Sequence, residues 1–163
     1  LATTPWLTER HGYDPTLIDK YMYFTISFHS LQDQHYDGEL NSPFLMTSVK
    51  FYHLTELILL MDQIMESCHV PTSDNRYRTF SKNHIFLNKE LKYRQITSEK
   101  FEDYLQESMK DCKWNVFQIK VMYRQHYSWQ GEIVFEKMNI RKFFRSSLEL
   151  LHLIYSTLEK IQC

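Results

Sequence analysis

The sequence predicts an α+β fold: two strand–strand–helix units sharing one four-stranded, mainly antiparallel sheet, with two long helices on one face and a helical insert between the units. Three observations carry that prediction. Residues 24–66 lie over residues 117–159 without a gap. Phe24 falls on Phe117, Ile26 on Ile119, Gly38 on Gly131, Glu39 on Glu132, Glu56 on Glu149, Leu57 on Leu150, Leu60 on Leu153 and Glu66 on Glu159. Each copy opens on alternating apolar residues, the period of a strand, and closes on three- and four-residue apolar steps, the period of a helix. The chain holds only three glycines, so the coincidence of Gly38 with Gly131 is informative.

The 163 residues suit a single domain, 1–163, with a core of useful size. Within it the expected parts are a lead-in at 1–20, a first unit at 21–68, an insert at 69–114 and a second unit at 115–163.

In the first unit, Tyr21–Ser30 reads as a strand, since Phe24, Ile26 and Phe28 alternate with Thr25, Ser27 and His29. A turn at Gln32–His35 leads to a second short strand near Tyr36–Leu40. Ser42-Pro43 can start a helix, because proline is tolerated in the first turn. That helix is expected to run to Cys68, with Val49, Leu54, Leu57, Ile58, Met61, Ile64 and Met65 on its apolar side.

In the second unit, Phe117, Ile119, Val121 and Tyr123 alternate with polar residues. A three-residue turn at 125–127 then sets Lys120 opposite Glu132, Val121 opposite Gly131 and Tyr123 opposite Trp129. The missing side chain of Gly131 leaves room there for a helix or a neighbouring strand. Asn139 or its neighbour is expected to cap a helix running to Gln162. In the insert, 71–75 reads as a turn, 76–94 has room for one or two short strands, and Ser98–Cys112 reads as a helix.

Composition excludes several classes. Hydrophobic residues make up 43% of the chain, against the disordered class. No apolar run approaches the roughly 20 residues of a membrane span. The opening residues lack the basic stretch and apolar core of a secretory signal. Three widely spaced cysteines do not make a disulfide framework, so the expected setting is a reducing cytoplasm. The net charge of −1 favours neither nucleic acid nor an anionic membrane. Its distribution is uneven: residues 76–100 carry seven bases against two acids.

Within that basic stretch Arg76, Arg78, Lys82, Lys89, Lys92 and Arg94 interleave with Tyr77, Phe80, Phe86 and Tyr93. Bases for phosphate and rings for stacking make it a candidate nucleic-acid-binding segment. Glu39 and Glu132, equivalent in the repeat and on the face away from the helices, are candidate catalytic carboxylates if they converge. Arg145, Glu149 and His152 share a polar strip, where Arg145 and Glu149 form an i,i+4 pair. No CxxC, HxxxH, HExxH or glycine-rich phosphate loop occurs, so no metal or cofactor is expected.

Resemblances to three families are visible. Arg145 and His152, with six residues between them, resemble the Arg-x(4–6)-His pattern of the HEPN ribonuclease superfamily. That resemblance implies a nuclease pair at a dimer cleft, in domains that are all-helical. Cys112-Lys-Trp114 resembles the Cys-x-Trp of type I interferons, a helical family that the strand signals oppose. The stretches Tyr127-Ser-Trp-Gln-Gly-Glu-Ile133 and Phe144-Arg-Ser-Ser-Leu-Glu-Leu-Leu151 resemble a pattern in short uncharacterised proteins of Firmicutes-type bacteria, which implies a bacterial intracellular setting and no known activity. The reading that results is a protein-binding or regulatory module, offering its sheet face to a partner or to a second copy. The alternatives are nucleic-acid binding through the insert, and a small hydrolase or nuclease.

Overall fold

The structure is a computed structural model that describes residues 20–73, 78–80, 90–110 and 115–162. Six strands and three helices follow in the order β1 (Met22–Ser30), β2 (Asp37–Asn41), β3 (Val49–Phe51), α1 (Leu54–Cys68), α2 (Ser98–Lys110), β4 (Val116–Tyr123), β5 (Gln130–Phe135), β6 (Ile140–Phe144) and α3 (Ser147–Gln162). Short 3-10 turns occupy Gln32–Gln34 and Glu136–Met138. The strands form one antiparallel sheet in the order β3-β2-β1-β4-β5-β6.

The class is α+β, but the expected four-stranded sheet with two long helices is wrong: the sheet has six strands and the helices number three among the described residues. The two extra strands, β3 and β6, lie where the helices were expected to begin. The reason is capping. His53 Nδ1 accepts from the Glu56 backbone N–H at 3.2 Å, and Glu56 Oε2 accepts from the Tyr52 N–H at 2.8 Å. This reciprocal pair satisfies two donors at the start of α1. Ser146 Oγ accepts from the Glu149 N–H at 3.0 Å and starts α3 in the same way. Pro43 instead sits in a turn, and Asn139 takes a left-handed conformation (φ 49) that ends a 3-10 turn rather than opening a helix. The residues just before each cap are thereby left extended, and they join the sheet edge.

The registers of the two halves correspond. All eight residue pairs joining β1, β2 and β3 recur in β4, β5 and β6 with 93 added to each number: Phe28↔Gly38 beside Val121↔Gly131, and Gly38↔Phe51 beside Gly131↔Phe144. Both first hairpins carry an irregularity at the same place, between Phe28 and Ser30 and between Val121 and Tyr123. It is this shift that puts Tyr123 opposite Gln130 and not Trp129, while Lys120↔Glu132 and Val121↔Gly131 pair as the alternation requires. At the centre, β1 and β4 pair so that Thr25 faces Gln118, the two residues that the alignment superposes.

One sheet face carries Phe24, Ile26, Phe28, Phe117, Ile119, Val121 and Ile133 into a single apolar cluster with Leu57, Leu60, Met61 and Ile64 of α1 and Leu150, Ile154 and Leu158 of α3. Burying each such side chain contributes about 1.5–3 kcal/mol. The glycines serve this layer: a Cβ on Gly38 would run into the Ser27 carbonyl oxygen and the Phe51 ring, and one on Gly131 into the Lys120 carbonyl oxygen and the Phe144 ring. Each helix is tied at its C-terminal end to the other half. Arg124, buried, donates to Glu66 of α1 at 3.0 Å and to the Pro71 carbonyl at 2.7 Å. Tyr36 OH donates to Glu159 of α3 at 2.8 Å.

The insert touches both sides of the sheet. Residues 92–94 pair with 44–46: the Met46 N–H donates to the Lys92 carbonyl and the Arg94 N–H to the Phe44 carbonyl, with Leu45↔Tyr93 as the bridge between them. This bridge is the extent of strand pairing in 76–94 among the described residues. On the other sheet face, α2 packs Phe101, Tyr104 and Leu105 against Tyr23, and Tyr104 OH bonds Thr25 Oγ1. The expected lead-in at 1–19 and residues 111–114 lie outside the described residues. No helix among the described residues is long and apolar enough to cross a membrane.

Candidate functional site

The two halves match in register but not in what their outer strands show to solvent. β3 and β6 are the two ends of the sheet. At the end formed by β3, Thr47, Lys50 and, just inside α1, Thr55 are exposed, together with Met46 and Tyr52. With 93 added, Thr47, Lys50 and Thr55 become Ile140, Phe143 and Leu148, which are 41%, 67% and 63% exposed. Leu45, buried at its bridge to Tyr93, becomes Met138, which is 57% exposed. Both edges carry an exposed lysine, Lys50 and Lys142; the β6 end differs in the apolar side chains that stand exposed at the positions of Thr47, Lys50 and Thr55.

β6 owes its place to local chemistry. Asn139 turns the chain by 3-10 closure, Ile140↔Phe135 and Phe144↔Gly131 pin the register, and the Phe144 ring fills the space above Gly131. Facing side chains put Ile140, Lys142 and Phe144 on the side of the main core, and Arg141 and Phe143 on the opposite side. Of the nearby charges, Arg141 lies 2.7 Å from the buried Glu132 carboxylate, and Arg145 lies 3.1 Å from Glu149. Lys142, midway along the strand, is exposed. Glu136, at the start of the turn before β6, has its carboxyl pushed above the usual range by desolvation. Among the described residues, no strand pairs with the outer edge of β6, which carries exposed apolar side chains and a lysine at its centre.

Glu39 and Glu132 do not converge. Glu39 lies on β2, facing Lys50 and Ser27, while Glu132 lies on β5, facing Lys120 and Phe143. β1 and β4 intervene, three strand spacings or about 14 Å, and the two rows cross β1 four residues apart, a further ~13 Å along the strand. Two carboxylates about 20 Å apart cannot share one reacting bond. Arg145 precedes α3 and is engaged by Glu149, and His152 lies exposed on α3.

In the basic insert, Arg76, Lys82 and Lys89 lie outside the described residues, and Arg78 and Lys92 are exposed. Arg94 donates from Nε to the Pro43 carbonyl at 2.9 Å, and Tyr93 packs against the main core, so this pair serves the fold. No group of three or more metal-ligating side chains occurs among the described residues.

Sequence reasoning missed Ile140, Lys142 and Phe143 because it placed them inside a helix. The signal that locates them is Ser146-x-x-Glu149, a capping pattern that starts the helix after Phe144. No protein-family model matches the chain, and neither the curated proteins nor the solved structures compared with it include a match.

Proposed function

We propose that this chain is a protein-binding module, acting through its surface rather than through chemistry, and that it receives its partner along β6 and the adjoining margin of the sheet face. One observation carries the reading: Ile140, Phe143 and Leu148 stand exposed where the first half has Thr47, Lys50 and Thr55. In this reading the two halves are copies of one unit whose outer edges have diverged, and their matched registers support that view. The sheet face as a whole is less available, because Tyr23, Thr25, Gln118 and Val134 are buried on it. What remains open is the side nearest Phe143. A bacterial cytoplasm is the setting that goes with this reading: Cys68 carries a free thiol, which burial pushes up to about 11 and leaves unreactive.

The test transplants one edge onto the other. A peptide library is selected against the whole chain, and binders are then measured on the triple variant Ile140→Thr, Phe143→Lys, Leu148→Thr. Loss of binding with an unchanged circular dichroism spectrum supports the reading. Binders that keep their affinity for the variant, or that map to another surface, overturn it.

A further inference from the structure

The charges along β6 say what kind of chain fits it. We infer that β6 takes, as a seventh antiparallel strand, an extended segment of a different protein that sets an acidic residue against Lys142 and apolar residues against Phe143 and Ile140. This rests on β6 being the docking edge, as proposed above.

A second copy is disfavoured in the central register. A second copy pairing β6 with β6 antiparallel relates the two sheets by a two-fold axis perpendicular to them, so facing side chains lie on the same sheet face. The central register then sets Lys142 against Lys142. One neighbouring register sets Arg141 against Arg141; the other sets Phe143 against Phe143. Like charges directly opposite destabilise a strand pair, so the central register is opposed, whereas in the other two Glu132 answers Arg141.

An acidic residue reverses that term at Lys142, the exposed cation at the centre of the strand. Arg141 makes no such demand, since Glu132 already lies 2.7 Å from it. Side chains of an added strand alternate between faces, so those opposite Ile140 and Lys142 lie on the core side and the one opposite Phe143 lies on the other. Running antiparallel from Phe143 to Ile140, the incoming segment reads apolar, acidic, polar, apolar. Main-chain hydrogen bonds to the open edge supply affinity, and this four-residue pattern supplies selectivity.

The probe is a fluorescein-labelled peptide, Thr-Val-Glu-Thr-Val-Thr, titrated with the whole chain and read by anisotropy. A second peptide has lysine in place of its glutamate. The expected result is that the acidic peptide binds about ten-fold tighter than the basic one, that Lys142→Glu inverts this preference, and that Phe143→Lys weakens both peptides. If both peptides bind alike and Phe143→Lys still weakens both, the acidic partner is overturned while the docking edge stands. If neither peptide binds and light scattering shows a dimer that Phe143→Lys dissociates, the occupant is a second copy and the inference fails. Absence of binding by a monomeric chain also overturns it.

Discussion

The two halves of this protein share a register and differ in their edges. Phe28, Gly38 and Phe51 lie in one row, and Val121, Gly131 and Phe144 in its counterpart, with an aromatic ring closing over each glycine. Outside that core the correspondence stops. The first half buries Leu45 at its bridge to Tyr93 and shows Lys50 to solvent beside Met46 and Tyr52, whereas the second leaves Met138 and Phe143 exposed. The lesson is that interior positions are held by packing, which gives little freedom, while edge positions are free to take up a task.

The largest expected effect probes the shared part. Gly38→Ala and Gly131→Ala each drive a Cβ into a neighbouring strand's carbonyl oxygen, backbone that cannot yield. Each substitution costs about 3 kcal/mol. Urea denaturation checks this, and a cost confined to one half would break the comparison.

The helix ties come next, and they are unequal. Arg124→Ala removes a charged clamp to Glu66 and Pro71 and costs about 2–3 kcal/mol, whereas Tyr36→Phe removes one bond to Glu159 and costs about 1 kcal/mol. Equal losses in thermal melts would mean that the two helices are not held as described.

The caps follow. His53→Ala and Ser146→Ala each cost about 1 kcal/mol, because each removes the acceptor for a first-turn N–H. Helical signal lost on heating should fall at a lower temperature in both variants.

A smaller effect depends on pH. Desolvation raises the Glu136 carboxyl in the folded state, so the folded chain holds that proton more tightly than the unfolded chain. Below the ordinary glutamate value both states are protonated and the group costs nothing. As pH rises through the raised value, stability is lost. Glu136→Gln therefore raises the melting temperature at pH 7, and its advantage closes toward pH 4. An advantage that persists at low pH would assign the gain to another cause.

Least of all, Phe143→Lys should change stability by no more than about 0.5 kcal/mol, since the side chain is largely exposed. A larger loss would make Phe143 part of the fold instead of a contact for a partner.

Much of the centre was legible in the sequence, because strand alternation and helical spacing are local patterns. Phe24, Ile26 and Phe28 alternate as strand residues must, and Leu57, Leu60, Met61 and Ile64 recur as one helical face, so β1 and α1 could be read directly. β3 and β6 could not. Val49-Lys50-Phe51 is too short to display a period, and its apolar residues fit the helical spacing that follows. His53, an uncommon N-cap, concealed where α1 begins. For the site, Glu39, Glu132, Arg145 and His152 were visible as chemistry, but the separation of the two glutamates was not. Phe143 was visible only as one of eleven phenylalanines.

The sequence by itself determined the composition of the core and the periods of its main elements, since burial of apolar side chains selects both. Only the tertiary structure decided which strands are outermost, which glutamates stand apart and which phenylalanine meets water. Those properties belong to pairing between distant segments, and no local pattern encodes the order of strands in a sheet.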